Sequence, residues 1–192
     1  MIEYMVKKAI ELGIIKSEDF DLYNYAFALL FSSLITWGTI LLIGMIFRRF
    51  VGCLCFVLFF VPLRQYAGGV HIKTRIGCYI VSVVLLFLLI VASTLLITLN
   101  LINIQLLLLP VSLLIVFTLA PQEDINKPVS NNEYSYCRKV SRIIILSEVF
   151  LNYTMYLLGV NTTVLFFFLS ATNIASMMVF LKKLLSYHNA II

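Results

Sequence analysis

Residues Phe50–Leu63 read FVGCLCFVLFFVPL, and whether they cross a membrane fixes the direction of everything after them. The run is apolar throughout but only fourteen residues long, short of the roughly 20 that a straight transmembrane helix needs. Cations bracket it, Arg48 and Arg49 before and Arg64 after. Arginine can lay its stem along apolar surface while its charge reaches water, so the run either crosses with that help or dips in and returns. Its two cysteines, Cys53 and Cys55, stand about 200° apart on a helix and cannot face one ligand. They read as small buried hydrophobes.

The surrounding chain supports crossing. Of its 192 residues, 62% are hydrophobic and 12% charged, against about half and about a quarter in soluble domains. Such a chain has too little polar surface to cover a water-soluble globule. Five further apolar runs follow the same pattern: Ala26–Phe47, Tyr79–Leu99, Ile104–Ala120, Ile143–Gly159 and Thr162–Leu181. Pro110 predicts a kink that neighbouring helices can tolerate. The longest polar segment, Pro121–Arg142, reads as a loop. Residues 1–20 alternate apolar and charged positions at helical spacing but carry too many charges to span, which predicts an interfacial amphipathic helix. Five acids precede the first long apolar run and no signal-peptide h-region is present. The expected fold is therefore all-α: a polytopic membrane protein of about six transmembrane helices (26–181) plus an N-terminal amphipathic helix (1–20), forming one membrane-embedded domain over 1–192. No internal repeat is visible.

Charge then sets orientation. With the N-terminus inside, twelve of the fourteen cations fall in inside segments: Lys7, Lys8, Lys16, Arg64, Lys73, Arg75, Lys127, Arg138, Lys139, Arg142, Lys182 and Lys183. Only Arg48 and Arg49 fall outside. The positive-inside rule thus predicts cytoplasmic termini, and it prefers a crossing Phe50–Leu63, since a re-entrant run would put most later cations outside. The net charge of +5 forms no basic stripe, so no nucleic-acid partner is expected.

The reactive side chains gather in RQYAGGVHIKTRIGC, Arg64–Cys78, on the predicted cytoplasmic side. A thiol with an imidazole is the minimum set for nucleophilic acyl transfer. His71 and Cys78 supply the pair, and Arg64, Lys73 and Arg75 make the surroundings electropositive, the setting of reactive cysteines. On one straight helix the two would stand about 10.5 Å apart along the axis, whereas proton transfer needs about 3 Å. A direct dyad therefore demands a backbone break between them, and Gly68, Gly69 and Gly77 provide the freedom for one. The competing reading is a His and a Cys that merely sit at a membrane boundary. With no CxxC pair among the four cysteines, no metal or other cofactor is expected.

The pattern Arg64-x-x-x-Gly68-Gly69-x-His71 followed by Cys78, with the segment APQEDINKP at Ala120–Pro128, resembles the accessory gene regulator B (AgrB) family of membrane cysteine endopeptidases. Length, hydropathy and the order of both motifs extend the resemblance over most of the chain. It implies that Cys78 cleaves a short AgrD-like propeptide, with His71 as general base. The acyl-enzyme thioester would pass to a cysteine or serine of the substrate, closing a thiolactone or lactone that serves as a quorum-sensing signal. It also implies a homodimer in a bacterial cell membrane. Arg64, Gly68, Gly69 and Lys127 become candidate substrate-binding or supporting residues; Lys127 reads equally as a solvated loop cation, or as a contact for the propeptide's acidic tail. Glu148, an acid inside a span, is expected to be paired or functional, with Arg138 or Arg142 as possible partners. Cys137 is a competing nucleophile without a nearby histidine in sequence. A peptide transporter or a non-catalytic adaptor is the alternative class, and the scarcity of charges within the spans argues against ion-coupled transport.

Overall fold

The computed structural model describes residues 2–70, 74–99, 102–122 and 131–189. It contains seven helices: α1 (Ile2–Glu11), α2 (Phe20–Ile46), α3 (Phe50–Ala67), α4 (Arg75–Thr98), α5 (Ile102–Leu119), α6 (Asn131–Leu157) and α7 (Thr162–Asn189). No strand forms among the described residues. All helices but α1 are long and apolar enough to cross a membrane. Helix α1 stops where Gly13 adopts φ +70°, a left-handed conformation that glycine takes without penalty. It is tucked onto α2 through the buried Val6.

Phe50–Leu63 is longer as a helix than as an apolar run. It continues through Arg64-Gln65-Tyr66 to Ala67, giving 18 residues, or about 27 Å, close to the hydrocarbon thickness of about 30 Å. It also matches α7 end to end. Arg49 Nη1 donates to Thr163 Oγ1 at 3.0 Å at one end, and Val70 N–H donates to the Met178 carbonyl at 3.2 Å at the other. Helices α3 and α7 therefore run side by side in the same direction through the same depth. One of the two cations that break the charge asymmetry, Arg49, is thus held by a specific partner.

Helix α7 is the centre of the bundle. Leu165 to Thr172 are all buried, whatever face they lie on, as expected of a helix apolar all round. The approaches to it are tight. A Cβ on Gly52 would strike the Phe167 ring, and one on Gly44 would lie 2.8 Å from Cys53 Sγ; small residues of this kind let membrane helices close on one another. On the outside, α2 and α4 expose large apolar side chains such as Leu34, Ile35, Leu42, Val84 and Leu88, the surface that lipid covers.

Most polar side chains inside the bundle find partners; among the described residues Gln105 Oε1, Asn152 Oδ1 and Arg142 Nε do not. Pro110 has no N–H to give the Leu106 carbonyl, and the Tyr153 hydroxyl of α6 donates to it at 3.3 Å. Gln105 donates to Ser170, Ser112 to Asn173, and Asn173 to the Gln105 carbonyl, at 2.8–3.1 Å, pinning α5 to α7. Asn152 donates to Thr172 Oγ1 at 3.2 Å, and that hydroxyl donates to Glu148 Oε2 at 2.9 Å, pinning α6 to α7. Glu148 is therefore paired through a threonine of α7, not through Arg138 or Arg142. Arg142 instead points at the end of α5.

The polar segment after α5 also differs from a plain loop. Only its first part lies between helices; from Asn131 onward it is already α6, so Arg138, Lys139 and Arg142 sit on a helix that runs unbroken into the span.

Candidate active site

Helix α3 ends in a corner built from two glycines. Gly68 takes φ +75° and ψ −147°, and Gly69 takes φ +123°; both lie where side chains are strongly disfavoured. The corner is tied to two other helices. Gln122 N–H, just past α5, donates to the Ala67 carbonyl at 2.9 Å, and Val70 N–H reaches Met178 on α7. The space is as restrictive as the dihedrals. A Cβ on Gly68 would collide with the Gln122 carbonyl, and one on Gly69 would meet Arg64 Nη1 at 2.5 Å and the Met178 backbone at 3.0 Å.

Arg64 closes the corner from within. Its guanidinium donates through Nη1 to the Gly68 carbonyl and through Nη2 to the Val70 carbonyl. A planar fork suits this double contact, where a lysine would offer a point charge. Arg64, Gly68 and Gly69 thus form one unit immediately before His71. The residues that complete the unit, Gln122 and Met178, were not legible as site residues, since nothing in their sequence surroundings links them to Ala67 or Val70.

Cys78 lies on the other side of the break. Thr74 is extended, with φ −107° and ψ 142°, and caps α4: its Oγ1 accepts from Gly77 N–H at 3.1 Å. Thr and Ser are favoured here because the side-chain oxygen takes a first-turn donor that has no helical partner. Position 74 therefore rules out one unbroken helix from position 71 to Cys78, the condition that a direct His71–Cys78 dyad sets. Cys78 N–H makes the first α-type bond, to the Thr74 carbonyl at 3.0 Å. The thiol is exposed, and none of the four cysteines is in a disulfide. His71 and Lys127 lie outside the described residues.

The same end of the bundle carries Arg64, Arg138, Lys139, Arg142, Lys182 and Lys183, where α3, α5 and α7 finish and α4 and α6 begin. Arg48 and Arg49 are at the opposite end. Among the described residues no three His, Cys, Asp or Glu side chains are close enough to hold a metal ion.

The accessory gene regulator B family model matches residues 1–186, nearly the whole chain. The chain belongs to the AgrB family. Neither the curated proteins nor the solved structures contain a match. AgrB membership makes it a peptidase-type membrane protein of accessory gene regulator (quorum-sensing) systems, with a peptide precursor as its substrate. Cys137 is half-buried in the first turns of α6, next to Tyr136, whose ring meets Tyr66 of α3 edge-on. Cys53 is fully buried in the α3 core, consistent with packing alone.

Proposed function

We propose that the chain is a membrane-integrated cysteine endopeptidase that cleaves a short precursor and promotes its cyclisation. One observation carries this reading: in a chain of the AgrB family, Cys78 is exposed in the first turn of a helix that starts only after the Thr74 break. His71 takes the Cys78 proton as the sulfur attacks the scissile carbonyl. The carbonyl oxygen becomes an oxyanion, which the Arg75 and Ile76 N–H groups of the α4 first turn are assigned to stabilise, the Gly77 N–H being taken by Thr74. Collapse breaks the C–N bond. His71 returns the proton to the leaving amine, and the N-terminal part of the precursor remains as a thioester on Cys78.

A thiol or hydroxyl of the bound peptide then attacks that thioester, closes the ring and regenerates Cys78. Exchange of one thioester for another is nearly isoenergetic, so a boundary site that limits water favours cyclisation over hydrolysis. Arg64, Gly68 and Gly69 act as positioning residues for the chain leading to His71. Lys127 is assigned to the acidic tail of the precursor. The cation-rich end is assigned to the cytoplasm, with both termini there and a homodimer as the working form.

The test is co-expression of the full chain with a candidate propeptide encoded beside it, comparing wild type with Cys78→Ala and His71→Ala. Both variants are expected to leave the precursor intact at unchanged membrane levels. Cleavage by either variant would falsify the dyad.

A further inference from the structure

The outer face of α5 carries a groove of about 240 Å³ lined by Pro110, Leu113, Leu114 and Phe117. It is smaller than the 300–1,000 Å³ of typical small-molecule sites, and its lining is apolar. Pro110 to Phe117 spans seven residues, about 10 Å along the helix, running from mid-span toward the cation-rich end. Such a groove admits one thin hydrocarbon chain.

A positive charge closes it at that end. The Arg142 guanidinium lies over the Phe117 ring, 5.2 Å from its centroid, and Nη2 donates to the Phe117 carbonyl at 2.8 Å. That bond has a clear local cause. Four residues on from Phe117 stands Pro121, which has no N–H to offer the carbonyl, so Arg142 caps α5 in its place. The cap uses one of five guanidinium donors, and the buried Nε has no partner. Arg138 lies one helical turn further toward water on the same face of α6, and Lys139 is beside it. Both are exposed. Among the described residues no carboxylate partners any of the three.

We propose that this groove binds an anionic phospholipid, one acyl chain along Pro110–Phe117 and the phosphate between Arg142 and Arg138. Charge complementarity selects the occupant: an apolar groove at membrane depth that ends on arginines with no carboxylate partner among the described residues fits a lipid with an anionic head. A peptide with an acidic tail would satisfy the cations but leave the apolar groove empty.

The test uses the full chain in nanodiscs of phosphatidylcholine doped with phosphatidylglycerol, read by native mass spectrometry. Wild type is expected to retain phosphatidylglycerol about tenfold over phosphatidylcholine, roughly 1.4 kcal/mol, because the choline cation of phosphatidylcholine offsets the phosphate charge that the arginines attract. Arg142→Gln removes the positive charge and should lose most of that preference, more so with Arg138→Gln. Leu114→Trp leaves the cap untouched, fills the groove and should reduce retention of both lipids. Equal retention of the two lipids by wild type, or wild-type preference in both the arginine and the groove variants, overturns the proposal. So does displacement of phosphatidylglycerol by glycerol 3-phosphate or by a soluble glutamate-rich peptide that binds Leu114→Trp as well as wild type, since the site would then take a soluble anion or a peptide.

Discussion

Gly68→Ala is expected to be far more damaging than alanine at other glycines, and the size of the difference follows from the corner geometry. Gly68 sits at φ +75°, ψ −147°, a region essentially closed to other residues, with a cost of about 1–3 kcal/mol. The new Cβ would also collide with the Gln122 carbonyl. Relief requires the Gln122–Ala67 hydrogen bond to open, which costs about 0.5–1.5 kcal/mol more. The total is about 2–4 kcal/mol, or roughly 5–15 °C in melting temperature for a chain of this size. Two controls separate strain from collision. Gly13→Ala meets the same sign of φ, +70°, but has nothing within 4 Å, and should cost only about 1–2 kcal/mol. Gly38→Ala falls inside α2 with open space around it and should stabilise by about 0.5–1 kcal/mol. Thermal unfolding of the detergent-solubilised variants should therefore rank Gly38→Ala at or above wild type, then Gly13→Ala, then Gly68→Ala. Precursor cleavage should be lost in Gly68→Ala alone. A Gly68→Ala protein that melts with Gly13→Ala and still cleaves would refute the corner as described.

Arg64→Lys keeps the charge but cannot fork to the Gly68 and Val70 carbonyls; precursor cleavage should fall at least about tenfold at equal membrane abundance, reflecting one lost charge-assisted bond, and unchanged cleavage would show that the fork is dispensable. In a double-mutant cycle, Glu148→Gln and Thr172→Val should couple by about 0.6–1.7 kcal/mol, the range of interhelical hydrogen bonds in membranes; additive melting shifts would mean that the pair contributes nothing. Tyr153→Phe should destabilise by about 0.5–1.5 kcal/mol in the natural background. The same change should be neutral in Pro110→Ala, where the Leu106 carbonyl regains a helical donor; equal shifts in both backgrounds would contradict the assigned partner.

The spans were legible because hydropathy and length are local properties. Phe50–Leu63 is the instructive case. Counted as an apolar run it was too short, and Arg64 seemed to end it. The helix continues because the Arg64 charge is spent on the Gly68 and Val70 carbonyls, groups four and six residues ahead that become acceptors only once the glycine corner exists. The break before Cys78 was legible from spacing and glycine content, although its agent is Thr74 acting as a cap. The polar side of α7 was not legible: Ser170, Thr172 and Asn173 lie in an apolar segment, and their partners are in α5 and α6. Amides inside predicted spans, Gln105, Asn152 and Asn173, were the available signal, because such groups need partners in lipid.

The cations at the candidate-site end show why charge counting and structure can agree while explaining different things. The positive-inside rule treats Arg64 and Arg142 as labels of one side of the membrane. In the fold each supplies donors to backbone carbonyls that the chain itself leaves unserved, Arg64 at the glycine corner and Arg142 where Pro121 cannot cap α5. Replacing either by another cation would preserve the charge bias and still remove a designed contact. A Lys at 64 or 142 should therefore leave topology intact and change local order, which separates the two roles: reporter-fusion orientation should stay as in wild type while protease sensitivity near Gly68 or Pro121 rises. Inverted orientation in either variant would mean that the charge count depends on these two geometries after all.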